Sequence, residues 1–277
     1  MMNIYLPSKT LSFQSPVVMG ILNVTPDSFY DGGKLSRPDA LLEQAEKMIA
    51  EGATILDLGG MSSRPGAEII SEDEELNRLL PALESLTSRF EIIISIDTIR
   101  ASVAQSCLQA GAHIINDISA GRFDANMIPL LAQYKLPFII MHMQGMPATM
   151  QQHPQYQNVT IEVIEFLKER IKVCKEAGIC DLILDPGFGF GKTVEHNYIL
   201  LHNLTLFQEL NLPVLAGVSR KSMICNVLEI NPAQALNGTT AVNMIALMNG
   251  ANILRVHDVK EAMEAIKIYN QLKQITS

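Results

Sequence analysis

Cysteine is scarce in this sequence, and its spacing matches neither a metal site nor a disulfide framework. The four thiols, at Cys107, Cys174, Cys180 and Cys225, include no CxxC pair and have no accompanying cluster of histidines. Structural zinc sites and disulfide-rich secreted domains both carry characteristic cysteine spacings. We therefore exclude those two classes and expect four buried, apolar thiols in a reducing compartment.

Clusters of basic residues and long apolar runs are also missing. The formal net charge is -8 at pH 7, without a dense group of lysines and arginines, so nucleic-acid and anionic-membrane partners are not expected. No segment approaches the roughly 18 consecutive apolar residues of a membrane span. The opening MMNIYLPSKTLSF lacks the basic region and apolar core of a secretory signal, so we expect a cytoplasmic protein.

Two glycine-rich nucleotide-binding turns are absent as well. A GxGxxG turn, which is typical of doubly wound open sheets that bind dinucleotides, does not occur after any predicted strand. The stretch GFGFGK at 187–192 fails the P-loop pattern, because Pro186 stands where that pattern requires its first glycine. The sequence therefore predicts no nucleoside-triphosphate site.

Eight short apolar runs, by contrast, recur along the chain. Each is continuous rather than alternating, and β-branched residues are abundant, which is typical of parallel strands buried on both faces. The runs cover residues 17–23, 54–58, 91–97, 113–117, 138–142, 182–185, 213–218 and 252–256. They predict eight parallel strands.

Amphipathic segments lie between these runs and predict helices. Examples cover 37–53, 71–90 and 162–178, with Pro38 in a first turn and Gly52 and Gly178 where helices would end. No Pro/Gly/Ser-rich linker or change of composition divides the chain. Eight strand–loop–helix units predict an α/β fold, a single (β/α)₈ TIM barrel formed by residues 1–277, with a doubly wound open sheet as the alternative.

Polar residues stand at or just after the end of nearly every predicted strand. They are Asn23, Asp57, Asp97, Asn116, Asp117, His142, Asp185, Ser219, Arg220, Lys221, Arg255 and His257. Strand ends of this kind build the active sites of (β/α)₈ barrels. Helix capping would explain a single carboxylate but not the lysine or the arginines. Carboxylates and carboxamides suit the N–H edge of a heterocycle and basic groups suit phosphate, which predicts a phosphorylated heterocycle as ligand.

Six segments, in order, resemble the dihydropteroate synthase family: MGILNVTPDSFYDGG, ILDLGGMSSRPGAEIISEDEEL, INDI, DPGFGFGK, GVSRKSMI and RVHDV. The resemblance extends from about residue 17 to 270. It implies a (β/α)₈ transferase of folate biosynthesis that joins 6-hydroxymethyl-7,8-dihydropterin diphosphate to 4-aminobenzoate and releases diphosphate. It further implies Mg²⁺ as cofactor, these small molecules as substrates, sulfonamides as inhibitors and a homodimer built on outer helices.

The same resemblance implies roles for individual side chains. Those implied to bind the pterin diphosphate are Ser63, Asp97, Asn116, Met141, Asp185, Lys221, Arg255 and His257. Those implied to bind 4-aminobenzoate are Phe29, Arg64, Pro65, Phe190 and Ser222. Asn23 is implied to meet the metal. The catalytic set is implied to be Asp97, Lys221, Arg255, His257 and Asp31, with Arg255 and His257 assisting departure of diphosphate, Lys221 on the pterin carbonyl side and the carboxylates favouring a cationic pterin.

Two positions depart from the family pattern. The family usually has GGESTRPG where this chain has GGMSSRPG, so Met61 replaces an acid and Ser63 replaces a threonine. These departures leave open a non-catalytic pterin-binding paralogue at the level of sequence, and a related folate-dependent methyltransferase barrel is a second alternative. The second would not need Arg255 and His257 as diphosphate anchors.

Overall fold

The computed structural model describes residues 2–6, 9–24, 37–61, 70–146 and 149–276. Five residues with predicted roles lie outside these ranges: Phe29, Asp31, Ser63, Arg64 and Pro65.

Eight parallel strands form the main sheet in the order β9-β10-β3-β4-β5-β6-β7-β8. Their bounds are β3 Val17–Asn23, β4 Ile55–Gly59, β5 Ile93–Asp97, β6 Ile114–Asp117, β7 Phe138–Met141, β8 Leu182–Asp185, β9 Leu215–Ala216 and β10 Ile253–Val256. A parallel bridge between Leu184 and Val214 joins the two outer strands of this order, so the sheet comes close to a closed cylinder. The (β/α)₈ prediction is confirmed, and each predicted strand overlaps an observed one.

Helices follow the strands on the outside of the cylinder. Their bounds are α1 Arg37–Ala50, α2 Glu72–Arg89, α3 Ala101–Gln109, α4 Met127–Tyr134, α5 Val159–Glu176, α6 Val194–His202, α7 Ser222–Leu228, α8 Leu236–Met248 and α9 Val259–Thr276, with 3₁₀ turns at Leu204–Leu210 and Pro232–Gln234. Gly52 and Gly178 follow α1 and α5 with φ of 108° and 95°, as predicted for left-handed helix ends. In the part of the chain that is described, no helix combines the length and apolarity needed to cross a membrane.

An N-terminal hairpin, which the sequence analysis did not predict, covers one end of the cylinder. Its strands are β1 Asn3–Tyr5 and β2 Thr10–Ser12. Its buried side chains are Ile4, Leu6, Leu11 and Phe13. They pack on a ring to which each barrel strand contributes one residue: Met19, Ile55, Ile93, Ile114, Ile139, Ile183, Leu215 and Ile253. The polar strand ends lie at the opposite end of the cylinder.

The expectation of four buried thiols is wrong for one of them. Cys107, Cys174 and Cys225 are buried, whereas Cys180 is exposed. Cys180 lies on the connection from α5 to β8, where the preceding Ile179 occupies the buried position.

Candidate active site

Arg255 links carboxylates of two other strands inside the barrel. Its Nε donates to Asp57 Oδ2 at 2.6 Å, and one of its terminal nitrogens donates to Asp97 Oδ2 at 2.9 Å. Asn116 Nδ2 donates to the same Asp57 oxygen at 3.1 Å. These four side chains come from β10, β4, β5 and β6. The barrel therefore brings one cation, two carboxylates and one carboxamide into a single hydrogen-bonded group.

Burial controls the charge of this group. Desolvation raises the pKa of Asp97 to about 7, against the attraction of Arg255, which lowers it. Burial alone would lower the pKa of Arg255, but Asp57 and Asp97 outweigh it and the net shift is upward. Arg255 is thus a permanent cation, and Asp97 changes its charge close to neutral pH.

Lys221 and Asp185 lie near each other and interact electrostatically. Gly217 lies between them, since a Cβ at that glycine would be 3.7 Å from Lys221 Nζ and 3.9 Å from Asp185 Oδ2. Burial raises the pKa of Asp185, and Lys221 is the main opposing influence. Burial lowers the pKa of Lys221 to about 8, partly offset by Asp185. Arg255 acts electrostatically on both residues and lowers the pKa of each.

The loop after β8 holds Lys221 and Asp185 in place. Lys221 Nζ donates to the carbonyl of Phe188 and lies 4.8 Å from the centroid of the Phe190 ring. Asp185 Oδ1 accepts a hydrogen bond from the backbone N–H of Gly187 at 2.7 Å. Asp185 is therefore engaged by its own loop rather than by a helix N-terminus. Asp97 likewise does not cap α3, where the N–H of Ala101 donates to Asp124.

Asn23 stands at the end of β3, next to Asp97. Gly59 of β4 lies between the two, because a Cβ there would be 3.5 Å from Asn23 Oδ1 and 3.7 Å from the Cβ of Asp97. Within the described residues, no group of three or more His, Cys, Asp or Glu could hold a metal ion. The side-chain oxygen of Asn23 nevertheless fits Mg²⁺, which commonly takes one or two protein oxygens and completes its shell with phosphate and water.

Ser219 connects the segment after β9 to the end of β10. Its Oγ lies 3.0 Å from His257 Nδ1 and accepts the backbone N–H of His257 at 3.2 Å. The neighbouring Arg220 points elsewhere and forms a two-pronged ion pair with Asp258 at 2.7 and 2.9 Å. His257 is therefore oriented by the site, whereas Arg220 stabilises the connection to α9.

An apolar wall lies beside the charged groups. Met141 and Phe190 belong to one buried cluster, together with Ile99, Ile118, Met143 and Met150. Met61, at the position where the family usually has an acid, packs against this cluster. Ser222 is exposed and is the first residue of α7. The substitution at residue 61 thus adds an apolar contact.

Like Arg220, two other polar strand-end residues do not face the charged groups. Asp117 accepts the backbone N–H groups of Ser119 and Gly121, and so folds the loop after β6. His142 contacts Lys192 Nζ through its Nδ1 at 2.9 Å. The expectation that the listed strand-end side chains form one site is therefore wrong for Asp117, His142 and Arg220, because each bonds its own or an adjacent connection.

Comparison with known proteins identifies the family. A family model described as "Pterin binding enzyme" matches residues 19–257. Dihydropteroate synthase of Escherichia coli (strain K12) is 47% identical over 269 residues, which are 96% of this chain and 95% of the relative. The Yersinia pestis dihydropteroate synthase structure with a sulfonamide drug is 45% identical, with a TM-score of 0.93 over 99% of this chain and 100% of that one. A Xanthomonas albilineans dihydropteroate synthase structure with 7,8-dihydropteroate is 36% identical, with a TM-score of 0.88 over 98% of this chain and 99% of that one.

The chain belongs to the dihydropteroate synthase family. The prediction of a folate-biosynthesis transferase that binds pterin is thereby confirmed. The relatives described above are dihydropteroate synthases, so the comparisons do not support the methyltransferase alternative.

Sequence reasoning missed two residues that organise this dihydropteroate synthase site. Asp57 was included among the polar residues of the strand ends but given no individual role, although it bonds both Arg255 and Asn116. A buried carboxylate in the middle of TILDL was the available signal, because a charge buried in a strand needs a partner. Lys192 was considered only as part of a failed P-loop, and its burial could not be read from its position.

Proposed function

We propose that this chain condenses 6-hydroxymethyl-7,8-dihydropterin diphosphate with 4-aminobenzoate, giving 7,8-dihydropteroate and diphosphate. The observation that carries the proposal is the group formed by Asp57, Asp97, Asn116 and Arg255 next to the Lys221–Asp185 pair. Together these side chains offer carboxylates that accept from N–H groups, a carboxamide that can both donate and accept, and two cations that donate to oxygen atoms. A pterin has such an edge, with ring N–H and amino donors beside a carbonyl.

Asp97, Asn116 and Asp185 are the proposed ligands of the pterin edge, and Lys221 is the proposed partner of the pterin carbonyl side. Met141, the last residue of β7 and 2% exposed, is proposed to contact a face of the pterin ring. Because Asp57 already holds one amino hydrogen of Asn116, the carbonyl oxygen of that amide remains for a ligand donor. A hydrogen-bonding site of this kind discriminates strongly against analogues that lack a matching group.

Arg255 and His257 are proposed to bind the diphosphate and stabilise it as it leaves. Charge-assisted hydrogen bonds to the departing oxygens lower the barrier without a protein nucleophile. The ionised carboxylate of Asp97 favours positive charge that develops on the dihydropterin, and Asp31 is proposed to act in the same way. Ser63 is proposed to take part in binding the same substrate.

Asn23 is proposed to hold Mg²⁺ through its side-chain oxygen. When bound, the ion would supply charge neutralisation for the diphosphate. The position of Asn23 beside Asp97 supports this assignment.

Phe190 and Ser222 are proposed to bind 4-aminobenzoate, together with Phe29, Arg64 and Pro65. Phe190 supplies an aromatic wall next to the Lys221 ammonium, and Ser222 presents a hydroxyl at the start of α7. A carboxylate is favoured near the N-terminus of a helix, where unpaired N–H groups point outward. Sulfonamides, which resemble 4-aminobenzoate in shape, are proposed to compete at the same place.

A homodimer and a cytoplasmic location are proposed as the working state of a chain that forms one barrel domain over 1–277. The outer helices α7, α8 and α9, which pack side by side, expose large apolar side chains: Val227, Leu228, Ile245, Met248, Ile268 and Leu272. Apolar residues concentrated on neighbouring helices support an interface between two copies.

The test is an assay of diphosphate release that contains the pterin diphosphate, Mg²⁺ and 4-aminobenzoate. We expect release that depends on 4-aminobenzoate and yields 7,8-dihydropteroate in equal amount. Tight pterin binding without release would instead assign the chain as a non-catalytic pterin-binding member of the family.

A further inference from the structure

Lys192 is a buried cation to which the proposed reaction gives no role. The residue is 3% exposed and closes the glycine-rich stretch GFGFGK. Its Nζ lies 2.9 Å from His142 Nδ1, 2.8 Å from the carbonyl oxygen of Gly187 and 3.2 Å from that of Phe190. The carbonyl oxygen of His142 is 3.4 Å away. All these hydrogen-bond partners are uncharged acceptors.

An ammonium satisfies this set of partners. It has three N–H donors, one for each of the two nearest carbonyls and one for His142 Nδ1. With Lys192 in that form, His142 Nδ1 accepts and the imidazole proton is on Nε2. Burial and Lys192 lower the pKa of His142 to about 2, so the imidazole stays neutral. Burial lowers the pKa of Lys192 to about 7, and Asp185 opposes the shift.

The ammonium joins two backbone segments that lie too close together for side chains between them. Gly187 has φ of 71°, and a Cβ there would be 1.9 Å from the carbonyl oxygen of His142. A Cβ at Gly191 would be 2.3 Å from the carbonyl oxygen of Gln144. Lys192 therefore holds the loop after β8 directly against the connection that follows β7.

The same loop contacts two of the candidate site residues and contains a third. The N–H of Gly187 bonds Asp185, the carbonyl of Phe188 accepts from Lys221, and the Phe190 ring packs beside the Lys221 ammonium. The two carbonyls that Lys192 binds, at Gly187 and Phe190, lie on either side of Phe188. By holding those two carbonyls, Lys192 also fixes the carbonyl oxygen of Phe188, which accepts the hydrogen bond from Lys221.

We propose that Lys192 is a positioning residue of the active site: its ammonium fixes the 186–191 loop and, through it, the Lys221 ammonium and the Phe190 ring. The proposal rests on the proposed roles of Lys221 and Phe190 in substrate binding. Lys192 itself touches no substrate.

The first test is Lys192→Met, which keeps the length of the side chain and removes the donors. Lys260→Met, at an exposed position of α9, is the matched control. Because the loss affects binding in ground state and transition state alike, we expect the KM values for the pterin diphosphate, which Lys221 is proposed to bind, and for 4-aminobenzoate, which Phe190 is proposed to bind, each to rise about tenfold, with kcat changed less than about threefold. Lys192→Gln, which keeps two amide donors on a shorter chain, should fall between the wild type and Lys192→Met. Unchanged KM values in folded Lys192→Met would overturn the proposal.

The second test does not depend on turnover. The sequence contains no tryptophan, so Phe190→Trp creates a single fluorescent reporter in the loop. We expect adding Lys192→Met to that reporter chain to raise acrylamide quenching about twofold, because the buried acceptors lose their donor and the loop opens. Lys260→Met should leave quenching unchanged. Equal quenching in both chains would overturn the proposal, as would failure of both Lys192 variants to fold, since that would assign Lys192 to stability of the whole barrel.

The two tests separate this proposal from the proposed function. If the wild type releases no diphosphate, the proposed function fails, while the quenching comparison still decides whether Lys192 orders the loop.

Discussion

Arg255 Nε donates to Asp57 Oδ2 at 2.6 Å, although the two residues are 198 positions apart in the chain. The Asp57 side chain is fully buried and that of Arg255 is 16% exposed. Asp57 also holds Asn116, so one carboxylate orients both a proposed diphosphate anchor and a proposed pterin ligand. Asp57, which has no proposed contact with substrate, thus orients Arg255 and Asn116, which both have one.

Replacing this carboxylate tests that dependence. Asp57→Asn keeps the shape but removes the charge that Arg255 faces, and breaking a buried pair leaves the remaining ion uncompensated. Since Asp97 still pairs with Arg255, we expect kcat/KM to fall by roughly 10- to 100-fold rather than to vanish. Asp73→Asn, on the exposed first turn of α2, is the control. Calorimetric titration with a pterin should show weaker binding in the first variant only, and equal affinity in both would contradict the assigned role.

The affinity for a pterin should first rise and then fall as the pH increases. Burial raises the pKa of Asp97 to about 7, and its ionised form is the one that accepts from ring N–H groups, so affinity rises with pH through that value. Burial lowers the pKa of Lys221 to about 8, so the ammonium and its contribution are lost as pH rises further. The dissociation constant, measured from pH 5 to 10, should be smallest between the two values.

Two variants assign the limbs of that profile. Asp97→Asn should remove the acid limb, and Lys221→Met should remove the alkaline limb. A profile of the wild type that is flat from pH 6 to 9 would rule out both assignments.

The hairpin β1–β2 should contribute to stability without affecting chemistry. Ile4 is 2% exposed against the ring of barrel residues, and truncating a buried isoleucine to alanine costs about 2–5 kcal/mol. Tyr5→Ala is the adjacent control, because that side chain is 62% exposed. Urea unfolding should show the loss for Ile4→Ala alone, with kcat at 25 °C within about twofold of the wild type. A large loss of kcat in a folded Ile4→Ala protein would instead connect the hairpin to the site.

The apolar surface of the outer helices predicts the oligomeric state. Ile245 is 44% exposed on α8, and a glutamate there would place charge in a desolvated interface. We expect Ile245→Glu to sediment as a monomer and the wild type as a dimer. Ile161→Glu, an equally exposed position on α5, should remain dimeric. A wild type that sediments as a monomer would contradict the proposed homodimer.

The barrel could be predicted from the sequence because its signals are local. A strand buried on both faces must be apolar throughout, and VVMGILN or EIIISID carries that property in a few consecutive residues. The hairpin could not be predicted in this way, since β1 and β2 have three residues each and form through contacts with the distant barrel ring. Local pattern is informative where burial is uniform along a segment.

The site was only partly predictable for a related reason. Strand ends indicate which residues reach the rim, but the loop that follows decides where each side chain points. Asp117 accepts a hydrogen bond from its own loop and His142 contacts Lys192, whereas Asp97 and Arg255 form a hydrogen bond across the barrel. The role of Lys192 depends on three acceptors in two loops, and no spacing in GFGFGK encodes that arrangement.

The most direct measurement is a crystal structure of this protein with the pterin diphosphate and Mg²⁺ bound. The account predicts that the ring lies at the C-terminal rim of the barrel, with hydrogen bonds to Asp97, Asn116, Asp185 and Lys221 and with the diphosphate on Arg255 and His257. A pterin bound away from these residues would contradict it.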